Sequence, residues 1–468
     1  MINYRLLLLF SLLLFGTPLK GQFSTAELEN AIRVFFVNYD VQIPVYLEVS
    51  FYKKGDILYV ERREFSLQRL ESEPFYDYAN QSFLPISFFE KRTDGDTIKT
   101  ANLTASEIQL ANRSFAAFKD FSRLLFKDAQ LFPFFGYRGY YQDVIDFYQD
   151  KNNLTADELH ALARAHGNKL GYQFQTAKFD NLLEEHVLHV GEDSFLTDQQ
   201  LATFFKLLEG TKNAYRQLKE QFPDYQTPVG KASVKYANEV ILGYLLLSVY
   251  AEHGIAPTVL EANLYSDSTI REARKILESC PKNSVLITNG DHATYPLFYV
   301  QAYEQYRTDL ILLNWDLAIL PRFVKAAYQG PLDAKPLKSH IPSKMLDGIN
   351  VLQMERRGNN SLDLPHLFRF IADNEFEANI TGSKNLFCPL STLSIQFPGK
   401  CPERQQNISL PWYVFLSEMV QLDILYANNW KRPLCFTKSP LKNDRFFLKP
   451  FAKETAHIYY IDKDQFCQ

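Results

Sequence analysis

The sequence predicts a chain of mixed α and β class: a small β-containing N-terminal region, a helical middle and a C-terminal α/β domain built on a parallel sheet. Three observations carry this. Apolar residues alternate with period two near residue 50, recur every three or four residues from about Tyr137 to Leu277, and from Pro281 collapse into short, wholly apolar runs separated by helical stretches.

At the start, Arg5 precedes the apolar run Leu6 to Phe15, followed by Gly16, Pro18 and Gly21. This is the three-part layout of an export signal. Its core is about ten residues, whereas a bilayer-spanning helix needs roughly 20, so residues 1–21 are expected to be cleaved, leaving Gln22 first. No Cys stands at the position of a lipid-attachment site.

The segment 22–130 is expected to hold a β-hairpin in VYLEVSFYKKGDILYVERREF, with Lys53-Lys54-Gly55-Asp56 as turn chemistry. Helical spacing follows over Ala101 to Gln130, where Phe115, Phe118, Phe121 and Leu125 share a face. Residues 131–280 are expected to be an array of helices over Ala156 to Leu170, Gln199 to Gln221 and Val234 to Glu252. Thr155 and Glu158 form a capping box before the first of them. The small residues Ala161, Ala163 and Ala165 give this array a resemblance to tetratricopeptide-like helical hairpins, without that family's repeat period.

In the segment 281–468, SVLITNG and DLILLN read as buried strands, each followed by a helix, DHATYPLFYVQAYEQY and DLAILPRFVKAAYQ. Strand, helix, strand and helix with short loops imply a Rossmann-like parallel βαβ unit. INVLQME is expected to add a third strand. A helix over Trp412 to Asn428 and strand-like PLCFT, FFLKPF and HIYYI complete the chain.

Composition narrows function. With 50 basic and 54 acidic residues and no basic block, the chain lacks the footprint of nucleic-acid binding. The apolar stretch VILGYLLLSVYA is too short to cross a bilayer, so the mature chain is expected not to span a membrane. Its 27 Tyr and 38 Phe are read mainly as core, with Tyr137, Tyr140 and Tyr141 as the alternative glycan-stacking set. The five cysteines fit no zinc pattern. Cys388 and Cys401 bracket a loop that a disulfide would close in an oxidising compartment. His186 and His189, beside Glu184 and Glu185, read as helix-surface residues rather than a metal site.

In open α/β sheets the ligand crevice lies beyond the carboxyl ends of the strands. Asn289, Gly290, Asp291 and His292 follow the first strand and Asn314 and Asp316 the second, so these side chains are expected to share one edge. Asp291, His292 and Asp316 are the candidate catalytic groups, as a general base or hard-cation ligands, and Asn289, Thr294, Tyr295 and Asn314 the candidate binding groups. The competing reading makes Asn289-Gly290 a turn, Asp291 or Thr294 the cap of the next helix and Asp316 the cap of the one after. No phosphate-cradling glycine loop follows either strand, so no nucleotide cofactor is expected, and no other cofactor or metal.

VLITNGDHATYPLFYVQAYEQYRTDLILLN, from Val285 to Asn314, resembles a segment of large bacterial membrane proteins related to protein O-mannosyltransferases, in which a strand ends in a Gly-Asp-Asn-Asp-Thr turn. LDILYANNWKRPLCF, from Leu422 to Phe436, is similar to the Asn-Asn-Trp-Lys-Arg-Pro stretch of the same region. Both motifs also recur in exported proteins of the Bacteroidetes type. The resemblance runs from about Ala237 onward and marks a family rather than a chemistry. This chain lacks the transmembrane part, so sugar transfer from a lipid-linked donor does not follow. His292 and Ala293 stand where the family shows Asn and Asp, which leaves Asp291, Thr294 and Tyr295 as the matching positions. The resulting expectation is an exported periplasmic or extracellular envelope protein that binds or assembles with a partner protein or a glycan; the alternative is an enzyme acting on envelope carbohydrate with Asp291 in the crevice.

Overall fold

A computed structural model describes residues 24–41, 49–64, 69–92, 97–121, 123–172, 194–342, 351–354, 361–373, 377–380, 383–388, 392–396, 405–411, 413–428, 431–442, 447–449 and 452–461. The export signal, the His186 and His189 segment, and Cys401 with residues 389–391 and 397–400 of the loop it shares with Cys388 lie outside the described residues. The chain divides into two compact units that part between Asn168 and Lys169.

The first unit opens with helix α1 (Thr25–Asn38), started by a capping box in which Ser24 and Glu27 satisfy each other's backbone N–H groups. Strands β1 (Val49–Lys54), β2 (Ile57–Glu64), β3 (Arg69–Asp77) and β4 (Ser82–Phe83) form an antiparallel sheet in sequence order. The expected hairpin is present. Lys54 faces Ile57 across a two-residue turn in which Gly55 takes φ +58°. Helices α2 (Ala105–Phe121), α3 (Arg123–Leu131), α4 (Tyr140–Tyr148) and α5 (Ala156–Tyr172) follow. The core is aromatic: Phe51 on β1 meets Phe35 and Phe118 edge-on at 5.1 Å each.

The aromatic run around Tyr140 packs into the same interior, with Tyr137 half-buried. Tyr140 and Tyr141 are buried, the first donating to Asp128 at 2.6 Å and the second accepting from Asn168 at 3.0 Å, while Tyr137 donates to Asp143. Thr155 and Glu158 make the expected capping box at the start of α5.

In the second unit α6 (Asp198–Gln221) packs on α7 (Ala232–Tyr250), and they are joined by a tight hairpin of β5 (Gln226–Thr227) and β6 (Gly230–Lys231). A Cβ on Gly243 would lie 2.9 Å from Leu208, so that glycine allows the two helices to close. After α8 (Asp267–Ser279) comes β7 (Val285–Thr288), a turn and α9 (Tyr295–Ala302), then β8 (Ile311–Asn314), a turn and α10 (Pro321–Tyr328). Strands β7 and β8 are parallel, Val285 facing Ile311, as the two apolar runs predict.

Further along are β9 (Val351–Met354), β10 (Ser361–Asp363), α11 (Leu364–Asp373), β11 (Glu377–Ile380), β12 (Ser383–Cys388), β13 (Thr392–Gln396), β14 (Gln405–Ser409), β15 (Tyr413–Phe415), α12 (Leu416–Asn428), β16 (Leu434–Phe436), β17 (Lys453–Glu454) and β18 (Tyr459–Ile461). INVLQME does form a strand, β9, but in a separate sheet of order β11-β12-β9-β15. The third parallel strand beside β7 is β16, fully buried, in a mixed sheet of order β17-β18-β16-β7-β8. The helix expected from Trp412 starts at Leu416 after β15, and Phe447 to Lys449 form a turn rather than a strand, with Phe447 and Leu448 buried.

The Asn-Asn-Trp-Lys-Arg-Pro stretch launches β16. Asn428, buried at the end of α12, donates to the carbonyl of Arg432 at 2.7 Å and accepts its N–H at 3.0 Å. Asn428 thus ties the end of α12 to the residues before β16. Among the described residues no helix is long and apolar enough to cross a membrane.

Candidate functional site

The order of the mixed sheet reverses at β7, with β8 on one side and β16 on the other. A crevice opens beyond the carboxyl ends of the two strands that flank such a reversal, because their outgoing chains diverge. Here the outgoing residues are Asn289 to His292 after β7 and Thr437 to Ser439 after β16.

Four of the predicted residues hold one another. Asp316 accepts the side-chain amide of Asn289 at 2.9 Å and the backbone N–H of Gly290 at 3.1 Å. Asn314 donates to Thr294 at 2.9 Å and accepts the N–H of Leu317 at 2.8 Å, and Thr294 donates to Thr288 at 2.9 Å. Thr288, Thr294 and Asn314 are all buried. These bonds tie the ends of β7 and β8 into one frame. At φ 77° and ψ 154°, Gly290 occupies a backbone region that is essentially closed to other residues. A Cβ there would lie 3.6 Å from the hydroxyl of Ser439.

The capping roles fall elsewhere than the sequence implies. No side chain caps α9 or the turn before it, and Asp316 caps nothing ahead of it. Pro296 and Pro321 stand in the first turns of α9 and α10, where a missing N–H costs nothing. Asn314 is the residue that satisfies the turn at Leu317.

Asp291, His292 and Tyr295 stay outside the frame. Among the described residues the Asp291 carboxylate accepts only a long bond, 3.4 Å, from Asn238 on α7, and Asn238 in turn accepts the phenol of Tyr265 at 2.8 Å. Asn238 and Tyr265 are both buried. Burial, then the charges of Asp291, Glu239 and Asp316, hold the Tyr295 phenol far above its ordinary value; burial, then Tyr295 and Asp291, do the same for Tyr265. Both phenols therefore stay protonated beside the carboxylate. Glu239 is balanced by Lys235 at 2.5 Å. The exposed ring of His292 lies over the β5-β6 hairpin, 3.5 Å from where a Cβ on Gly230 would sit. Gly230 takes φ +109° and is fixed by Thr227, whose hydroxyl donates to its carbonyl at 2.8 Å.

Sequence reasoning missed Asn238, Gly230, Tyr265, Thr437 and Ser439. Thr437 extends the register that carries Thr288, and its buried hydroxyl meets no partner among the described residues. The signal for it was present, since PLCFT reads as a strand with a polar end; its neighbour was not. The arrangement offers one weakly engaged carboxylate, an imidazole at the rim, a buried amide and neutral phenols, a set that suits hydrogen bonding to hydroxyls. Among the described residues no group of three or more His, Cys, Asp or Glu is placed to hold a metal.

Residues 270–460 match a family described as TMEM260-associated domain 2. The match takes in β7, β8, β16 and their outgoing loops, and it stops short of Gly230, Asn238 and Tyr265. It agrees with a resemblance to a TMEM260-related family over part of the chain. No curated protein and no solved structure matches this chain.

Proposed function

We propose that this chain is an exported protein of the cell envelope that binds a hydroxyl-rich ligand, a glycan free or carried on a partner protein, in the crevice between the ends of β7 and β16. One observation carries the reading. Asn289, Thr294, Asn314 and Asp316 are spent on each other, which builds a rigid rim and leaves Asp291 as the one lightly bonded carboxylate of the predicted set. Carbohydrate hydrolysis commonly uses a pair of carboxyl groups facing the bond to be broken. With both oxygens of Asp316 already accepting, the pair is reduced to one, and recognition is the better fit. The TMEM260-related match over residues 270–460 supports a glycan-related role, and Arg5, the run Leu6 to Phe15 and Gly21 support export.

The test is a thermal-shift screen of glycans on the mature protein and on Asp291→Ala. A stabilising glycan whose effect vanishes in the variant is the expected result. Turnover of that glycan by the wild type would establish instead an enzyme acting on envelope carbohydrate with Asp291 at its centre. No shift with any glycan would overturn both. N-terminal sequencing of protein from its native host tests export, and a retained Met1 would refute it.

A further inference from the structure

Away from the crevice, a cavity of about 420 Å³ lies between the C-terminal half of α7, helices α9 and α10, and β8. Its walls include Leu245 and Val249 from α7, Phe298 from α9, Leu312 from β8, and Phe323 and Ala327 from α10. Small-ligand sites commonly enclose about 300–1,000 Å³, mostly apolar, with a few fixed polar groups. Ser248, Glu252, His253 and Gln329 also line it, and the polar group held in place from two sides is Gln301. Buried on α9, it donates both amide hydrogens to backbone carbonyls, Arg307 at 2.7 Å and Leu310 at 3.1 Å. That fixes the amide, and its side-chain oxygen accepts no hydrogen bond among the described residues.

The rim is preformed. Gly330, at φ +77°, folds the chain back so tightly that a Cβ would lie 2.2 Å from the carbonyl oxygen of Ala334. The loop is closed by Leu337 donating to Tyr328 at 2.8 Å. It carries Leu332 in the left-handed region at φ 55°, with 46% of its surface exposed at the mouth. A leucine held exposed in a disfavoured conformation costs free energy that packing alone does not return, and such strain gathers where ligands are clamped.

We propose that this cavity binds an amphiphile with an aliphatic chain and a hydrogen-bond donor such as a hydroxyl, the chain lying against Phe298, Leu312 and Phe323 and the donor meeting Gln301. The fluorescent probe 1-anilinonaphthalene-8-sulfonate reports such sites by brightening in apolar surroundings. The wild-type protein is expected to take up the probe and to release it to a competitor. Release by free 1-decanol identifies a soluble amphiphile. Release by phosphatidylglycerol vesicles alone identifies a chain drawn from a lipid surface, and release by neither overturns the proposal. Ala327→Phe, which fills the cavity, is expected to abolish uptake while keeping the near-UV circular dichroism of the wild type. Leu332→Asn keeps a residue at ease in the left-handed region and is expected to weaken the effective competitor several-fold. If Ala327→Phe does not fold, Leu332→Asn decides alone, and an unchanged competitor affinity overturns the site.

Discussion

Asp316, beyond the end of β8, accepts the backbone N–H of Gly290, beyond the end of β7, at 3.1 Å. The bond runs between two strand-end loops and fixes a glycine-only turn at the mouth of the crevice. Gly290→Ala is expected to cost about 1–3 kcal/mol from backbone strain, and Asp316→Ala about 1 kcal/mol, since that side chain is exposed. Because both changes act on one turn, the double variant is expected to lose less than their sum. Urea denaturation of the three variants measures this, and strict additivity would show that the bond does not hold the turn.

Asp291 behaves differently. Its carboxylate caps no helix and, among the described residues, accepts a single 3.4 Å bond. Asp291→Ala is expected to change stability by less than about 0.5 kcal/mol, where loss of a genuine cap costs about 1 kcal/mol. A thermal midpoint matching the wild type without ligand is the expected outcome.

Lys53 is wholly buried on β1, and burial lowers its ammonium from 10.5 to about 8 against the opposing pull of Asp56. A lysine depressed by folding penalises the fold wherever it is charged in the unfolded chain. Stability should therefore rise as pH climbs from about 8 towards 10.5. Lys53→Met is expected to gain about 1–3 kcal/mol at neutral pH and to flatten that rise. Guanidinium midpoints taken across the alkaline range read both effects.

Glu261 works in the opposite direction. Burial pushes its carboxyl up, but the phenol of Tyr236 at 2.6 Å and the ammonium of Lys212 at 2.9 Å outweigh this and hold it below 4.5. Its contribution is complete above the unfolded carboxyl value and disappears as pH falls through the lower folded one. Glu261→Gln is expected to cost about 1–2 kcal/mol at neutral pH and nothing in strong acid, where the two proteins should unfold at the same denaturant concentration.

Asn428→Ala removes both bonds to the backbone of Arg432 and leaves those partly buried groups without that partner. The expected loss is about 2–3 kcal/mol. Hydrogen exchange should speed up at Leu434 to Phe436, which follow the turn directly; protection equal to the wild type there would separate the motif from β16.

The parts legible in the sequence were local. Val285 to Thr288 and Ile311 to Asn314 are four-residue runs buried throughout, so composition and flanking turns identify them as interior parallel strands. Leu434 to Phe436 was equally legible as a strand, but its place beside β7 depends on a pairing across a long stretch of chain that no periodicity encodes. Asn238 was hidden for a different reason. A polar residue beside VILGYLLLSVYA looks like a solvent face until Tyr265 and Asp291 close over it. The helix caps misled because α9 starts at Tyr295 and α10 at Pro321, after intervening 3-10 turns, beyond the two or three residues that the capping side chains of Asp291 and Asp316 could reach.

The interleaved strand order has a kinetic consequence. Strand β16 is synthesised well over a hundred residues after β8 yet inserts against β7, the middle of the parallel trio. Closing so long a loop has an entropic cost before any contact repays it, and pairings of high contact order form slowly. On a ribosome, β7 and β8 would emerge with one edge of β7 bare, an apolar strand edge exposed until the later segment arrives. That nascent species is the one most open to mispairing and to chaperone capture, and the crevice is completed only when its last strand docks.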